Sequence, residues 1–128
     1  MISTSSASPN APAALGGYRQ AVEVIGANRW LFVSGQIAET ANGDIPAEDY
    51  EQCRLAWTNV LHQLSAAGYT AAQLVRATAF VTSAELIPIH QQARNDVLGT
   101  QQPALSVVVV SQLADPRWRI EIEAVAAR

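Results

Sequence analysis

Apolar positions recur along this chain with two periods, and the change from one to the other predicts the order of its elements. Two short apolar segments come first, "QAVEVI" (Gln20–Ile25) and "WLFVSGQI" (Trp30–Ile37). Between them Gly26–Asn28 carries turn chemistry, so the pair predicts a β-hairpin. A loop containing Asn42-Gly43 follows. Then Tyr50, Cys53, Trp57, Val60, Leu61 and Leu64 fall at spacings of three and four, the single apolar stripe of a helix. Glu48 and Asp49 suit its positive N-terminal end and Gly68 is placed to stop it, while His62 is on the wetter side. "QLVRATAFVT" (Gln73–Thr82) reads as a third strand.

A second helix carries Leu86, Ile89, Ala93 and Val97 on one face, with Pro88 in its first turn and Gly99 beyond its end. Next comes "QQPALSVVVVSQL" (Gln101–Leu113), whose consecutive valines announce a strand buried on both faces. The last strand, "RWRIEIEAVA", alternates cleanly. Trp118, Ile120, Ile122 and Ala124 face one way, and Arg117, Arg119, Glu121 and Glu123 the other. The order is ββαβαββ, an α/β (α+β) sandwich with both helices on one sheet face. That leaves the opposite face bare, an apolar patch that monomers avoid, so the pattern predicts self-association into a closed oligomer.

The composition narrows the class. At 128 residues, with 49% hydrophobic and 15% charged, the chain fits one globular domain, expected over residues 16–128. Residues 1–15 read as a flexible polar arm without the basic and apolar regions of a signal peptide, and no apolar run is long enough to span a membrane. A cytoplasmic, membrane-free protein is expected. One cysteine, Cys53, excludes a disulfide framework and reads as a buried structural thiol. Net charge is −3, and all eight basic residues are arginines. The absence of lysine removes Schiff-base chemistry on the protein and a lysine-anchored pyridoxal cofactor. Only Arg117 and Arg119 sit close together, which disfavours nucleic-acid binding.

Phosphate-binding, dinucleotide, nucleophile-elbow and zinc-protease motifs are all absent. His62 and His90 are on different helices, and no cluster has metal-ligand spacing. Polar residues at strand ends remain: Tyr18, Ser34, Glu121 and Glu123. Each has an ordinary alternative, as a packed ring, a strand-end hydroxyl or a solvated face.

The segments "LGGYRQAV", "LFVSGQI", "PALSVVVV" and "IEIEAVA" resemble the motifs of the RidA family, also called YjgF and long labelled endoribonuclease L-PSP or translation inhibitor proteins. Order and spacing match from about Ala11 to Ala127. The resemblance implies a chorismate-mutase-like fold, a homotrimer with a central β-barrel, and clefts between subunits. It implies hydrolysis of 2-imino and enamine acids to 2-keto acids and ammonia, with no metal or organic cofactor. Carried over by position, Tyr18 and Ser34 line the cleft and Glu121 holds the attacking water. Val107 replaces a cysteine often found beside the site, His90 stands where many members have asparagine, and Gly17 where the loop commonly has proline.

The family's carboxylate-binding arginine belongs in Pro-Ala-Arg-Ser, and this chain reads Pro-Ala-Leu-Ser, with Leu105 in its place. A guanidinium grips a carboxylate through two parallel charge-assisted bonds, each contributing about 1.5–3 kcal/mol. Leucine offers none, so turnover of ordinary 2-imino acids is expected to be weak or absent unless another arginine substitutes. Arg119, on the face of Glu121, is the first such candidate and Arg117 the second; the ordinary alternative for Arg119 is an exposed ion pair. Three functions follow. The first is a diverged deaminase-type hydrolase acting on a small enamine- or imine-like metabolite that lacks the usual carboxylate. The second is a non-catalytic trimer holding a small ligand in the inter-subunit cleft. The third is a protein-interaction or nuclease role, the nuclease being weakest on charge.

Overall fold

The computed structural model describes residues 2–128. Strands β1 (Ile2–Ser6), β2 (Ala21–Ile25) and β3 (Trp30–Ile37) precede helix α1 (Asp49–Ala66). A 3₁₀ turn at Ala71–Gln73 leads into β4 (Leu74–Val81). Helix α2 (Leu86–Leu98), β5 (Ala104–Val109) and β6 (Ile120–Ala127) complete the chain. The main sheet runs β3-β6-β4-β5, with β4 and β5 parallel and the other neighbours antiparallel. The expected α+β order holds from β2 onward.

Two local expectations are corrected. The polar arm supplies β1, which pairs antiparallel with β2 in a separate two-stranded sheet. Consequently β2 and β3 do not form a hairpin, since β3 pairs with β6 instead. The reason lies in β6, the most regular alternation in the chain. Its Ile120, Ile122, Ala124 and Ala126 are all buried, so it sits in mid-sheet with β3 and β4 on either side. The Gly26–Asn28 turn carries the chain across to the main sheet, where Arg29 and Arg128 exchange backbone hydrogen bonds of 2.9 and 3.0 Å.

Both helices pack on one face of this sheet. Cys53, Ala56, Trp57, Val60 and Leu64 of α1 and Leu86, Ala93 and Leu98 of α2 share one core with Ala77, Ala79, Val81, Ile120 and Ile122. The thiol of Cys53 is pushed up to about 12 by burial, as expected of a structural cysteine. Gly68 (φ 80°) and Gly99 (φ 59°) adopt the left-handed backbone just past the two helices, where a glycine stop is favoured.

The register sorts the remaining side chains. Leu105 pairs with Ala77 and Val107 with Ala79, so both face the helices. Glu121 pairs with Phe80, which pairs with Val108, and this row belongs to the open face. The valine run is therefore not buried on both faces in the single chain. β5 is an edge strand, Val108 and Val109 are exposed, and Val110 lies just past it, donating its N–H to the carbonyl of Val81 at 2.8 Å. No helix among the described residues is long and apolar enough to cross a membrane.

Candidate functional site

The residues singled out in the sequence fall into two groups on opposite faces of the sheet. On the helix side, Tyr18, His90, Leu105 and Val107 surround one cavity of about 350 Å³, together with Leu15, Ile87, Gln91, Arg94 and Ser106. Leu105 is only 8% exposed and belongs to the core cluster, so it packs as well as lining the cavity. Tyr18 is brought here by the segment before β2. Arg19 makes a parallel bridge to Ala104 at the start of β5, its N–H donating to the carbonyl of Pro103 at 3.1 Å. That bridge fixes the ring beside α2, with the Arg94 guanidinium 5.8 Å from its centroid.

His90 is fully buried. The indole N–H of Trp57 donates to its Nε2 at 3.0 Å, and the two rings stack at 6.0 Å. Burial, with the Arg94 charge as a second cause, pushes this imidazole down to about 3. It is neutral at ordinary pH. Since Nε2 accepts from Trp57, the ring proton is on Nδ1, and that N–H has no partner among the described residues.

Arg94 was not singled out by the sequence. Its side chain is 2% exposed, its Nε donates to Gln102 Oε1 at 3.0 Å, and its Nη2 has no partner among the described residues. Gln102 is fixed in turn by donating its Nε2 to the carbonyl of Gly99 at 3.0 Å. Burial lowers the guanidinium's affinity for its proton without a carboxylate to offset it.

The second group lies at the bulge in β3, where the register to β6 shifts between Val33 and Gln36. Ser34 is exposed there, on a hollow shared with Phe32, Arg76, Thr78 and Glu123. Glu121 packs directly under Gly35. A Cβ built at Gly35 would come within 2.6 Å of the Glu121 carboxyl, so any larger residue there must push that side chain aside.

Arg119 joins neither group. Its guanidinium pairs with Asp49 and the carbonyl of Ala47, while its backbone N–H donates to Gln52 Oε1 at 2.9 Å. Gln52 also donates to the carbonyls of Pro46 and Arg117, both at 3.0 Å, tying α1 to the segment before β6. Arg117 is likewise occupied, by Asp115 at 2.7 Å, which holds that carboxyl down at about 2. Neither candidate for replacing the missing arginine lines the cavity with Leu105; the arginine that does is Arg94. No group of three His, Cys, Asp or Glu side chains able to hold a metal occurs among the described residues.

A family model described as Endoribonuclease L-PSP matches residues 8–128. The chain belongs to the RidA/YjgF family. The 2-iminobutanoate/2-iminopropanoate deaminase of Escherichia coli K12, a member of this family, is 33% identical over 131 residues, covering 99% of each chain. The solved structure of the Rid-family protein YyfB from Yersinia pestis superposes with a TM-score of 0.86 at 30% identity over 100% of both chains. That of Escherichia coli TdcF with bound serine gives 0.67 at 32% identity over 98% of each.

Proposed function

We propose that this chain is a deaminase-type hydrolase of small imines or enamines, working as a homotrimer with its sites between subunits. The observation that carries it is the Glu121 carboxyl packed against the Ser34–Gly35 bulge, a candidate base next along from an exposed hydroxyl. In this scheme Glu121 accepts a proton from water as the water oxygen bonds to the imine carbon. That proton, and then the proton of the newly formed hydroxyl, pass to nitrogen, the C–N bond breaks, and ammonia leaves as the C=O forms. Names of relatives such as the 2-iminobutanoate/2-iminopropanoate deaminase support that reaction class.

Glu121 and Leu105 project from opposite faces of one sheet. A single site uses both only when a second copy brings its own surface against the first, which is why the assembly belongs to the proposal. A second function, ligand binding without turnover, is favoured by Leu105 itself, because leucine cannot grip a carboxylate at the strand position. The deciding experiment is ammonia release from an imine generated in situ. Glu121→Ala is expected to lower turnover at least about a hundredfold, the range of a lost general base, with assembly unchanged. Saturable binding with no ammonia from the wild type selects the binding function.

A further inference from the structure

The cavity under Leu105 is lined by two side chains whose hydrogen-bond donors are left unused among the described residues. His90 and Arg94 are one helical turn apart on α2 and both line it. Nδ1–H of His90 and Nη2 of Arg94 are buried without partners among the described residues. Buried polar groups are nearly always satisfied, and a buried cation without a counter-charge is costly. No acidic side chain lines this cavity, and among the described residues Arg94 has no carboxylate within ion-pair reach. Both orphans donate, so the missing partner accepts and carries negative charge.

The rest of the lining sets its shape. Leu105 and Val107 form an apolar wall opposite the polar pair's helix, and the Tyr18 ring lies over the guanidinium. Gln102 holds Nε, which fixes the plane of the guanidinium before any ligand arrives. A cavity of about 350 Å³ suits a short molecule with one anionic end.

We propose that Arg94 and His90 form a carboxylate-binding site, in which the grip absent from β5 is supplied by α2. Nη2 of Arg94 and Nδ1–H of His90 each donate to the carboxylate, and Leu105 contacts the ligand's apolar part. The ligands are short-chain 2-oxo and 2-imino acids. Their identity as product and substrate rests on the hydrolase function above; the binding itself does not.

The test uses the full chain, with 2-oxobutanoate and its neutral amide as probes in calorimetric or NMR titrations. The wild type is expected to bind the carboxylate saturably and the amide at least tenfold more weakly. Arg94→Met should weaken carboxylate binding about a hundredfold, the loss of a charge-assisted contact and its neighbour's alignment, while Arg94→Lys keeps part of it. Equal affinity for the two probes, no binding of either, or a folded Arg94→Met that binds as the wild type does overturns the site. Should Arg94→Met not fold, the comparison of the two probes on wild type still decides. Carboxylate binding through Arg94 without ammonia release removes the hydrolase function and keeps the site. Undiminished ammonia release in folded Arg94→Met does the reverse.

Discussion

His90 and Leu105 show how differently two neighbours in one cavity declare themselves in a sequence. Leu105 is visible as a gap in a linear motif. His90 is visible as a departure from the same pattern, but its burial is not, and Arg94 is not visible at all, because the polar character of both argues for solvent. The buried face of α2 is Leu86, His90, Ala93, Arg94 and Leu98, while Ile89 and Val97, which the apolar pattern placed inside, are only half-buried. Hydrophobic periodicity rejects a buried imidazole and guanidinium by construction; only their contacts with Trp57 and Gln102 reveal them. Burial of neutral His90 has a pH consequence. An unfolded histidine titrates near 6.5 and this one near 3, so between those values the unfolded chain binds the extra proton. Stability therefore falls as pH falls through that window, by about 1.4 kcal/mol per unit once well below 6.5. Urea unfolding at pH 7.5 and pH 5 should show wild type losing about 2 kcal/mol more than His90→Asn. Equal losses in the two proteins would mean that His90 is not held neutral.

At the scale of elements, α1, α2, β4 and β6 were legible because each carries a full period of apolar positions between identifiable stops. Pairing was not. The Gly26–Asn28 turn is compatible with a hairpin, and nothing local says that β6 competes for β3 and wins through a longer ladder. The bulge at Ser34–Gly35 was equally hidden, although "SGQI" itself stood out, because its use depends on a carboxylate arriving from a strand more than eighty residues away. Gly35→Ala tests that geometry. Its new Cβ would lie 2.6 Å from Glu121 Oε2 and 2.8 Å from Glu121 Cγ, so the side chain must swing away. The carboxylate is the flexible partner, and unfolding stability should change by no more than about 1 kcal/mol. Turnover should fall by at least about tenfold, since a misplaced base loses its alignment with the attacking water. A variant with full turnover would separate Glu121 from the chemistry.

For the whole molecule, the open sheet face is the least satisfied surface. Phe32 is 76% exposed, and Trp30 and Val108 also stand clear of the core. Phe32 pairs with Val125, which pairs with Arg76, so the apolar ring sits in a row that ends in a charge. The bare face was predicted from the valine run and the placement of both helices. What the sequence could not supply was which strand contributes the largest exposed side chain, because that depends on β3 rather than β5 lying beside β6. Covering one phenylalanine contributes about 1.5–3 kcal/mol per site, and a closed ring repeats that contribution at every interface. Phe32→Glu replaces it with a carboxylate near Glu123 on the same hollow, adding like-charge repulsion to the lost burial. The wild type should sediment as a trimer at micromolar concentration and Phe32→Glu as a monomer. Circular dichroism should stay that of the folded chain, because Phe32 makes no part of the helix-side core. Since Glu121 and the cavity under Leu105 belong to opposite faces, that monomer should also lose ammonia release while keeping Arg94-dependent binding of 2-oxobutanoate. A monomeric wild type would place the cleft within one chain and remove the second copy from the site, and a Phe32→Glu trimer would show that the copies are held together elsewhere than at Phe32.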